Sequence, residues 1–264
     1  MSQHLARSEF AWQLAKQGGI STLEYFQSDR FTVEKKSDRS PVTVADRNAE
    51  QIMRSEIQKH FPDDAIVGEE FGAKDGTSGY RWILDPIDGT KSFISGVPLY
   101  GTMVGVEFES DCVIGAVYCP GLDEGVYALT GNGAWHQKGN NERTQAHVSS
   151  CNKLSEAVMV TSEVITFDEI NAAEIYKTLE SKAYVARTWG DCYGYMLVAT
   201  GRVELMIDPM LNIWDAAAVK PIIEEAGGRF VDWNGEPKID TGNAFGCCPG
   251  IYNEVFDVIE QFRA

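Results

Sequence analysis

An apolar run that ends in two closely spaced aspartates constrains this chain more than any other feature of its sequence. Residues 81–84 predict a short strand, which places Asp85 at its end. Pro86 fixes φ for a tight turn, so that Asp88 comes back toward Asp85. Two carboxylates brought together repel each other unless cations lie between them, and Mg²⁺ prefers such oxygen ligands. The pair could therefore bridge two Mg²⁺ ions, although a lone Asp-Pro-x-Asp-Gly pattern is more often a plain surface turn.

Two more acidic segments could join this site. Glu69 and Glu70 follow the short apolar run 65–67, where adjacent acids usually mean only a solvated loop. Asp215 falls in the first turn of a helix predicted over 212–226, where a carboxylate complements the helix dipole. The three alanines that follow Asp215 allow close backbone packing, which would hold its side chain rigidly. Each signal is modest alone, so the case depends on their combination.

The acidic balance of the chain argues against some partners. It has 39 aspartates and glutamates against 23 lysines and arginines, which is a formal net charge of −16. Such a surface repels nucleic acid and anionic membranes, so neither is expected as a partner. It also opposes an anionic substrate unless bound divalent cations reverse the local field. The alternative is that the acidity merely aids solubility.

The apolar runs and the cysteines predict a soluble, cytoplasmic protein. No uninterrupted apolar run is long enough to cross a bilayer, and residues 1–10 lack the basic start and apolar stretch of a signal peptide. The chain has no Cys-x-x-Cys pair and its four histidines do not pair at helical spacing, so a zinc site is unsupported. The six cysteines are expected to be buried, reduced thiols.

Hydrophobic periodicity divides the chain into two parts that form one compact α/β unit. The first part, 1–145, predicts an α+β arrangement, with a helix over 5–26 that Gly18-Gly19 could break and antiparallel strands over 99–127. The second part, 146–264, alternates helices and strands. Its predicted strands are 158–161, 183–187 and 203–207, and its predicted helices are 168–179, 193–199, 212–226 and 254–262. Pro221 should kink the third of these helices.

Four motifs occur in an order and spacing that resemble the inositol monophosphatase superfamily. They are GEE at 68–70, DPIDGT at 85–90, WDAAA at 214–218 and EEAGG at 224–228. The resemblance implies a layered αβαβα sandwich of the inositol monophosphatase and fructose-1,6-bisphosphatase type. It also implies a phosphoric monoester hydrolase, usually a homodimer, that uses Mg²⁺ to hydrolyse small phosphate monoesters.

The resemblance also assigns metal ligands. Glu69, Asp85 and the backbone carbonyl of Ile87 would hold one Mg²⁺ ion. Asp85, Asp88 and Asp215 would hold a second ion. A third, weaker Mg²⁺ beside Glu69 is common in such enzymes, so the resemblance implies two or three ions per active site.

The attacking water is assigned in the same way. By resemblance, Thr90 and Asp46 orient and deprotonate it, and Glu69 belongs to the same catalytic set. A threonine hydroxyl that relays to a buried carboxylate suits this task, because Mg²⁺ lowers the pKa of bound water only modestly. Thr43 and Asp46 also fit an ordinary helix-capping pattern, which is the commoner use of such residues.

The phosphate and the alcohol of the substrate are expected at different residues. Backbone N–H groups of Gly89 and Thr90 can bind phosphate oxygens, and Asp88 and Asp215 complete this part of the substrate site. The alcohol is expected at segment 187–195, which reads RTWGDCYGY and resembles the histidinol-phosphate phosphatase branch of the superfamily.

The charge of that substrate supports the assignment. Histidinol phosphate bears an ammonium and an imidazole, so Asp191 or Asp208 would attract its cationic end. An inositol ring offers only hydroxyls and gains less from a carboxylate. Arg187 could contact the ligand or pair with a neighbouring acid, while the aromatic residues of the segment could simply pack in the core.

These patterns predict a Mg²⁺-dependent histidinol-phosphatase of histidine biosynthesis, and other functions stay open. One is an inositol monophosphatase or a broad-specificity sugar-phosphate phosphatase of the same superfamily. A nucleotide-directed 3′-phosphatase is less expected, because no basic cluster is present for a second phosphate. A catalytically idle dimer that binds a ligand or a partner protein has no reason to keep clustered acids, which are costly to bury.

Overall fold

Two β-sheets organise the chain, and helices cover their faces. The structure is a computed structural model that describes residues 2–28, 34–35 and 41–262. Within these ranges the strands are β1 (Glu34–Lys35), β2 (Pro41–Val42), β3 (Ala65–Gly68), β4 (Gly72–Lys74), β5 (Tyr80–Asp88), β6 (Gly101–Phe108), β7 (Asp111–Cys119), β8 (Glu124–Leu129), β9 (Ala134–Lys138), β10 (Thr144–Gln145), β11 (Val158–Val160), β12 (Val185–Arg187), β13 (Leu205–Asp208), β14 (Arg229–Val231) and β15 (Ala244–Cys247). The helices are α1 (Ser2–Thr22), α2 (Val44–His60), α3 (Thr90–Ile94), α4 (Ile165–Glu169), α5 (Ala173–Lys182), α6 (Cys192–Ala199), α7 (Ile213–Ala216), α8 (Val219–Glu225) and α9 (Tyr252–Phe262).

The two sheets differ in strand direction. The first has eight strands in the order β10-β9-β8-β7-β6-β5-β3-β4, and it is antiparallel except where β3 lies parallel to β5. The second has five strands in the order β12-β11-β13-β15-β14, and β11 lies parallel to both β12 and β13. Strands of the second sheet alternate with helices along the chain, which is the pattern that the periodicity predicted.

The elements pack in five layers. α1 and α2 cover one face of the first sheet, and α8 packs on its other face against β7 and β8. α6 and α8 also contact the second sheet, whose far face carries α5 and α9. The order helix, sheet, helix, sheet, helix confirms the predicted αβαβα sandwich. Because helices of the second part pack on the first sheet, both parts share a core, and a division at residue 145 stays a proposal.

α1 runs through the glycine pair that was expected to break it. Gly18 and Gly19 lie against the first sheet, and a Cβ atom added to Gly19 would lie 2.8 Å from Cδ1 of Tyr118. The glycines therefore permit a close helix–sheet approach, which compensates for their poor helix propensity. The helix ends at Thr22, before the expected end at residue 26.

Two predicted helices are each divided in two. The helix expected over 168–179 is α4 and α5, separated at Asn171, whose φ of 60° cannot continue a right-handed helix. The helix expected over 212–226 is α7 and α8. Pro221 explains this second interruption, because in a continuous helix its ring would clash with the carbonyl of Ala217 four positions earlier. Ala217 and Ala218, between the two helices, keep right-handed helical dihedral angles, so the interruption is the expected kink.

All six cysteines are free thiols. Five are buried, as predicted, and Cys151 is partly exposed. Burial raises the pKa of Cys112 to about 12 and that of Cys248 to about 11, so these thiols are poor nucleophiles. In the part of the chain that the structure describes, no helix is both long and apolar enough to span a bilayer.

Candidate active site

A β-bulge lies where the sequence predicted the end of a strand. β5 continues through Asp85 and Pro86 to Asp88, and its pairing with β6 shifts register between the two aspartates. The predicted tight turn at Pro86 is therefore wrong. A proline lacks the N–H group that a regular ladder needs, and a bulge accommodates this loss.

The bulge brings its two aspartates to a third. Asp85, Asp88 and Asp215 each present a carboxylate oxygen within 4.8 Å of the other two. The first two come from β5, and Asp215 comes from α7, more than a hundred residues later in the chain. Three hard oxygen donors at this spacing suit a divalent cation such as Mg²⁺.

Hydrogen bonds hold the backbone of the bulge. The N–H of Ile87 donates to Oδ1 of Asp85 at 3.0 Å, and Oγ1 of Thr90 donates to the carbonyl of Ile87 at 3.1 Å. That carbonyl keeps a second lone pair, so the contact leaves it able to bind a metal. Gly89 has φ 87°, and a Cβ atom there would lie 2.8 Å from Oδ2 of Asp191. Only glycine fits this position without strain.

Asp215 is held by its own helix terminus. Asn212 caps α7, and its N–H donates to Oδ2 of Asp215 at 2.7 Å. The small residues after Asp215 let α7 approach the first sheet, since a Cβ atom added to Gly105 would lie 2.7 Å from Cβ of Ala217. The capping hydrogen bond therefore orients the carboxylate, and the close packing of Ala217 fixes the helix that carries it.

Burial and mutual repulsion raise the pKa values of the cluster. Burial raises the pKa of Asp85 well above its ordinary value, and the charges of Glu69 and Asp88 raise it further. Burial also raises the pKa of Asp88, with repulsion from Asp191 and Asp215 adding to it. Chiefly through burial, the pKa of Asp215 rises to about 6. A nearby cation would reverse these shifts, so the donor set fits a metal.

Glu69 and Asp46 lie beside this cluster. Glu69 is on the turn between β3 and β4, its N–H donates to the carbonyl of Leu84 at 3.2 Å, and its charge raises the pKa of Asp85. Asp46 forms a capping box at the start of α2, where Oδ2 accepts from the N–H of Thr43 at 2.8 Å and from its hydroxyl at 2.6 Å. No hydrogen bond joins Asp46 to Thr90 among the described residues, so any proton relay between them would need a further group such as a water.

A cleft of about 520 Å³ opens next to the cluster and is lined by both parts of the chain. Its lining includes Asp88, Gly89, Thr90, Asp191, Asp208 and Asp215, six of the seven residues predicted to bind substrate. Arg187 is the exception, since it is exposed at the end of the edge strand β12 and donates to the neighbouring carbonyl of Ala186 at 2.7 Å. Arg187 does not line the cleft. It also forms no ion pair with a described acid, so neither of its two predicted contacts is present in the described chain.

Ser162 connects the two acids of the alcohol end. Its hydroxyl accepts the N–H of Asp191 at 2.9 Å, and its own N–H donates to Oδ1 of Asp208 at 3.1 Å. Oδ2 of Asp208 and the hydroxyl of Tyr195 are buried neighbours, and neither makes a hydrogen bond of ordinary length to a described residue. Burial raises the pKa of Asp208 to about 7 and that of Asp191 to about 6. These groups form a polar surface that a ligand could satisfy.

An ion pair at the cleft was not predicted from the sequence. Lys91 follows the DPIDGT motif directly and donates to Oε1 of Glu163, which follows Ser162. Both residues line the cleft. The position of Lys91 after the motif was a usable signal, but nothing local pointed to its partner 72 residues away.

The five-layer fold and the acid cluster in its cleft fit a phosphoric monoester hydrolase, the class that the following relatives indicate. The chain belongs to the inositol monophosphatase family, whose model matches residues 6–255. It is 43% identical over 234 residues to a histidinol-phosphatase of Chlorobaculum parvum, across 89% of this chain and 88% of that relative. It is 33% identical over 265 residues to a histidinol-phosphatase of Streptomyces coelicolor, across 99% of each. Among solved structures, an IMPase of Thermotoga maritima superposes with a TM-score of 0.85 at 29% identity, across 97% of this chain and 98% of that one.

Proposed function

We propose that this enzyme is a histidinol-phosphatase, which hydrolyses L-histidinol phosphate to L-histidinol and phosphate in histidine biosynthesis. One observation carries the proposal. Asp191 and Asp208 line the cleft, with Oδ2 of Asp191 close to Gly89 at the start of α3, and Oδ2 of Asp208 is buried without a hydrogen bond of ordinary length in the described chain. A substrate with a cationic end would supply the missing donors, whereas a neutral polyol would leave carboxylates facing hydroxyls alone. The names of the two relatives above agree with this substrate.

The cofactor proposed is Mg²⁺, with two or three ions per active site. Asp85, Asp88 and Asp215 would hold it, together with Glu69 and the carbonyl of Ile87. When bound, Mg²⁺ would lower the pKa of a water molecule and neutralise charge on the phosphate. Oxygen-only donors favour Mg²⁺ over softer metals such as zinc.

The chain's own residues would bind the phosphate and accept the proton. Backbone N–H groups of Gly89 and Thr90 lie at the start of α3 beside the acid cluster and can donate to phosphate oxygens. Burial raises the pKa of Asp46 to about 6, close to the working pH that suits a general base. Oδ2 of Asp46 already accepts two bonds from Thr43, so we propose that the proton reaches the carboxylate through the Thr90 hydroxyl or a water.

Phosphate release from a panel of monoesters tests the proposal. The panel contains histidinol phosphate, inositol 1-phosphate, fructose 1,6-bisphosphate and adenosine 3′,5′-bisphosphate, each with Mg²⁺ and after chelation. We expect histidinol phosphate to lead in kcat/KM by at least about 100-fold. Its cationic end can pair with the carboxylates of Asp191 and Asp208, and an ester without a cationic group leaves them unpaired. Chelation should stop the reaction.

The second candidate is an inositol monophosphatase or a broad-specificity sugar-phosphate phosphatase. The superposition on the Thermotoga maritima IMPase favours it. If inositol 1-phosphate leads the panel, the substrate proposal is wrong and the reaction class stands. No release from any ester would instead favour an idle ligand-binding protein. A homodimer and a cytoplasmic location also stay predictions, the first of which light scattering on the purified enzyme would check.

A further inference from the structure

A buried ion pair that the proposed chemistry does not use lies under the turn that carries Glu69. Glu50 is fully buried on α2, and Nε of Arg54, one helical turn later, donates to its Oε1 at 2.6 Å. Neither residue lines the cleft. Burying such a pair is costly and adds little net stability, so its presence calls for another reason.

The carboxylate of Glu50 binds the backbone just after Glu69. Its Oε2 accepts the N–H of Glu70 at 2.7 Å, and its Oε1 accepts the N–H of Phe71 at 3.2 Å. Arg54 extends the contact by donating from Nη2 to the carbonyl of Gly72. Three successive residues on one side of Glu69 are therefore tied to α2.

The residue on the other side of Glu69 is also in contact with this carboxylate. A Cβ atom added to Gly68 would lie 2.0 Å from Oε1 of Glu50, so the glycine backbone is pressed against the acid. The N–H of Glu69 itself donates to the carbonyl of Leu84, just before Asp85. Glu69 is thus fixed between β5 on one side and Glu50 on the other.

The same helix carries Asp46, four residues before Glu50. Asp46 and Glu69 both belong to the acids whose charge raises the pKa of Asp85, so both lie close to it. α2 therefore holds one of these acids directly and the other through Glu50 and Arg54. A rigid helix is a better support for such geometry than a surface turn.

We propose that Glu50, held by Arg54, is a positioning residue that orients Glu69 for binding Mg²⁺. The proposal rests on the proposed role of Glu69 as a metal ligand, and it is independent of which ester is the substrate. Residues that support a metal ligand commonly change metal affinity when they are replaced, while the ligands themselves remain.

The variant Glu50→Gln tests this role with little change in volume. A glutamine amide directs an NH₂ group at Arg54 or at a backbone N–H, so at least one of the three bonds is lost and the turn is held less firmly. We expect the Mg²⁺ concentration for half-maximal thermal stabilisation, measured without substrate, to rise about 10-fold or more. At saturating Mg²⁺, kcat should stay within about threefold of the parent and KM should be unchanged, because the chemistry itself is intact.

A matched control separates positioning from stability. Glu107 on β6 is also a buried acid with an arginine partner, Arg81. It pairs with Arg81 on β5, which lies four residues before Asp85, away from the turn of Glu69. Glu107→Gln, like Glu50→Gln, should lower the unfolding temperature in EDTA. Unlike Glu50→Gln, it should leave the Mg²⁺ concentration for half-maximal stabilisation unchanged. Glu50→Asp retains the charge and should shift the Mg²⁺ dependence less than Glu50→Gln.

Three results would overturn the proposal. The first is a normal Mg²⁺ dependence in folded Glu50→Gln, even if its unfolding temperature falls. The second applies if Glu50→Gln does not fold: it is a normal Mg²⁺ dependence in Arg54→Lys, which lacks the guanidinium group that holds Glu50. The third is a parent enzyme that Mg²⁺ does not stabilise. If Mg²⁺ stabilises the parent enzyme but the enzyme does not hydrolyse histidinol phosphate, only the substrate proposal is contradicted.

Discussion

The buried carboxylates of this protein differ in what balances their charge. Asp64 and Glu50 each have an arginine within hydrogen-bond distance. The pKa values of Asp85 and Asp88, by contrast, are raised by burial and then by other acids. A buried cluster of like charges is costly without a counterion. The imbalance therefore lies at the carboxylates of Asp85 and Asp88, where a bound cation would balance it.

Asp88→Asn should abolish turnover and leave the fold intact. The change removes a proposed metal ligand with almost no change in volume, so we expect kcat at saturating Mg²⁺ to fall by at least about 100-fold. In EDTA, the unfolding temperature should rise, because one of the repelling charges is gone. Phosphate release and thermal unfolding measure the two effects, and normal turnover would remove Asp88 from the metal site.

Asp191 combines a functional carboxylate with an unfavourable backbone. Its φ of 53° and ψ of −157° lie in a region that glycine occupies almost alone, which costs about 1 to 3 kcal/mol for other residues. Asp191→Ala should raise KM for histidinol phosphate far more than KM for inositol 1-phosphate or glycerol phosphate. Equal effects on all three esters would mean that Asp191 is structural.

Asp191→Gly is the matched variant for this position. It removes the carboxylate and relieves the backbone strain, so we expect the same rise in KM with a protein that is about 1 kcal/mol more stable than Asp191→Ala. Urea unfolding of both variants checks this difference. A glycine variant no more stable than the alanine variant would show that the observed φ is not strained.

At the scale of elements, small residues set how closely helices approach the first sheet. Gly19 of α1 lies on one face, and Ala217 and Ala218, between α7 and α8, lie on the other. The carbonyl of Ala218 would be 1.9 Å from a Cβ atom added to Gly115, so β7 and this segment are in backbone contact. This approach is what brings Asp215 from α7 to the aspartates of β5.

Gly19→Ala should destabilise the protein by about 1 to 3 kcal/mol, because the new methyl group would overlap the ring of Tyr118. Gln17→Ala, on the exposed face of the same helix, serves as the control and should be neutral or slightly stabilising. Urea unfolding measures both changes. A Gly19→Ala variant as stable as the parent would show that the helix can shift away from the sheet.

At the scale of the whole molecule, ion pairs join the two parts of the chain. Glu124 on β8 is buried and accepts from His136 at 2.8 Å, and Arg202 of the second part lies 2.9 Å from the same oxygen. The hydrogen bond from His136, followed by the charges of Arg202 and Lys138, lowers the pKa of Glu124 to about 2. The carboxylate is therefore more stable in the folded protein than in the unfolded chain.

Glu124 should make part of the stability depend on pH. Its folded pKa is depressed, so its contribution is complete above the unfolded value near 4.5 and is lost as the pH falls toward about 2. Glu124→Gln should thus destabilise the protein at pH 7, and the difference from the parent should shrink as the pH falls below about 4.5. Denaturant unfolding across this range measures the effect, and a difference independent of pH would contradict the assignment.

Local patterns in the sequence determined the acidic motifs and the periodicity of most helices and strands, whereas the order of the layers was an implication of the family resemblance. The motifs and the periodicity depend on residues that are neighbours in the chain or on one face of an element, so they can be read without a structure. The motif around Asp85 and Asp88 was recognisable for this reason. The bulge at Pro86 was not, since it depends on how β5 pairs with β6.

Tertiary packing alone decided which distant groups meet. It brought Asp215 to β5, tied the turn of Glu69 to Glu50, and paired Lys91 with Glu163 across the cleft. It also left Arg187 on an edge strand, outside the cleft to which its motif had assigned it. Such contacts depend on the close approach of whole elements, which small residues and buried ion pairs permit and which no local pattern encodes.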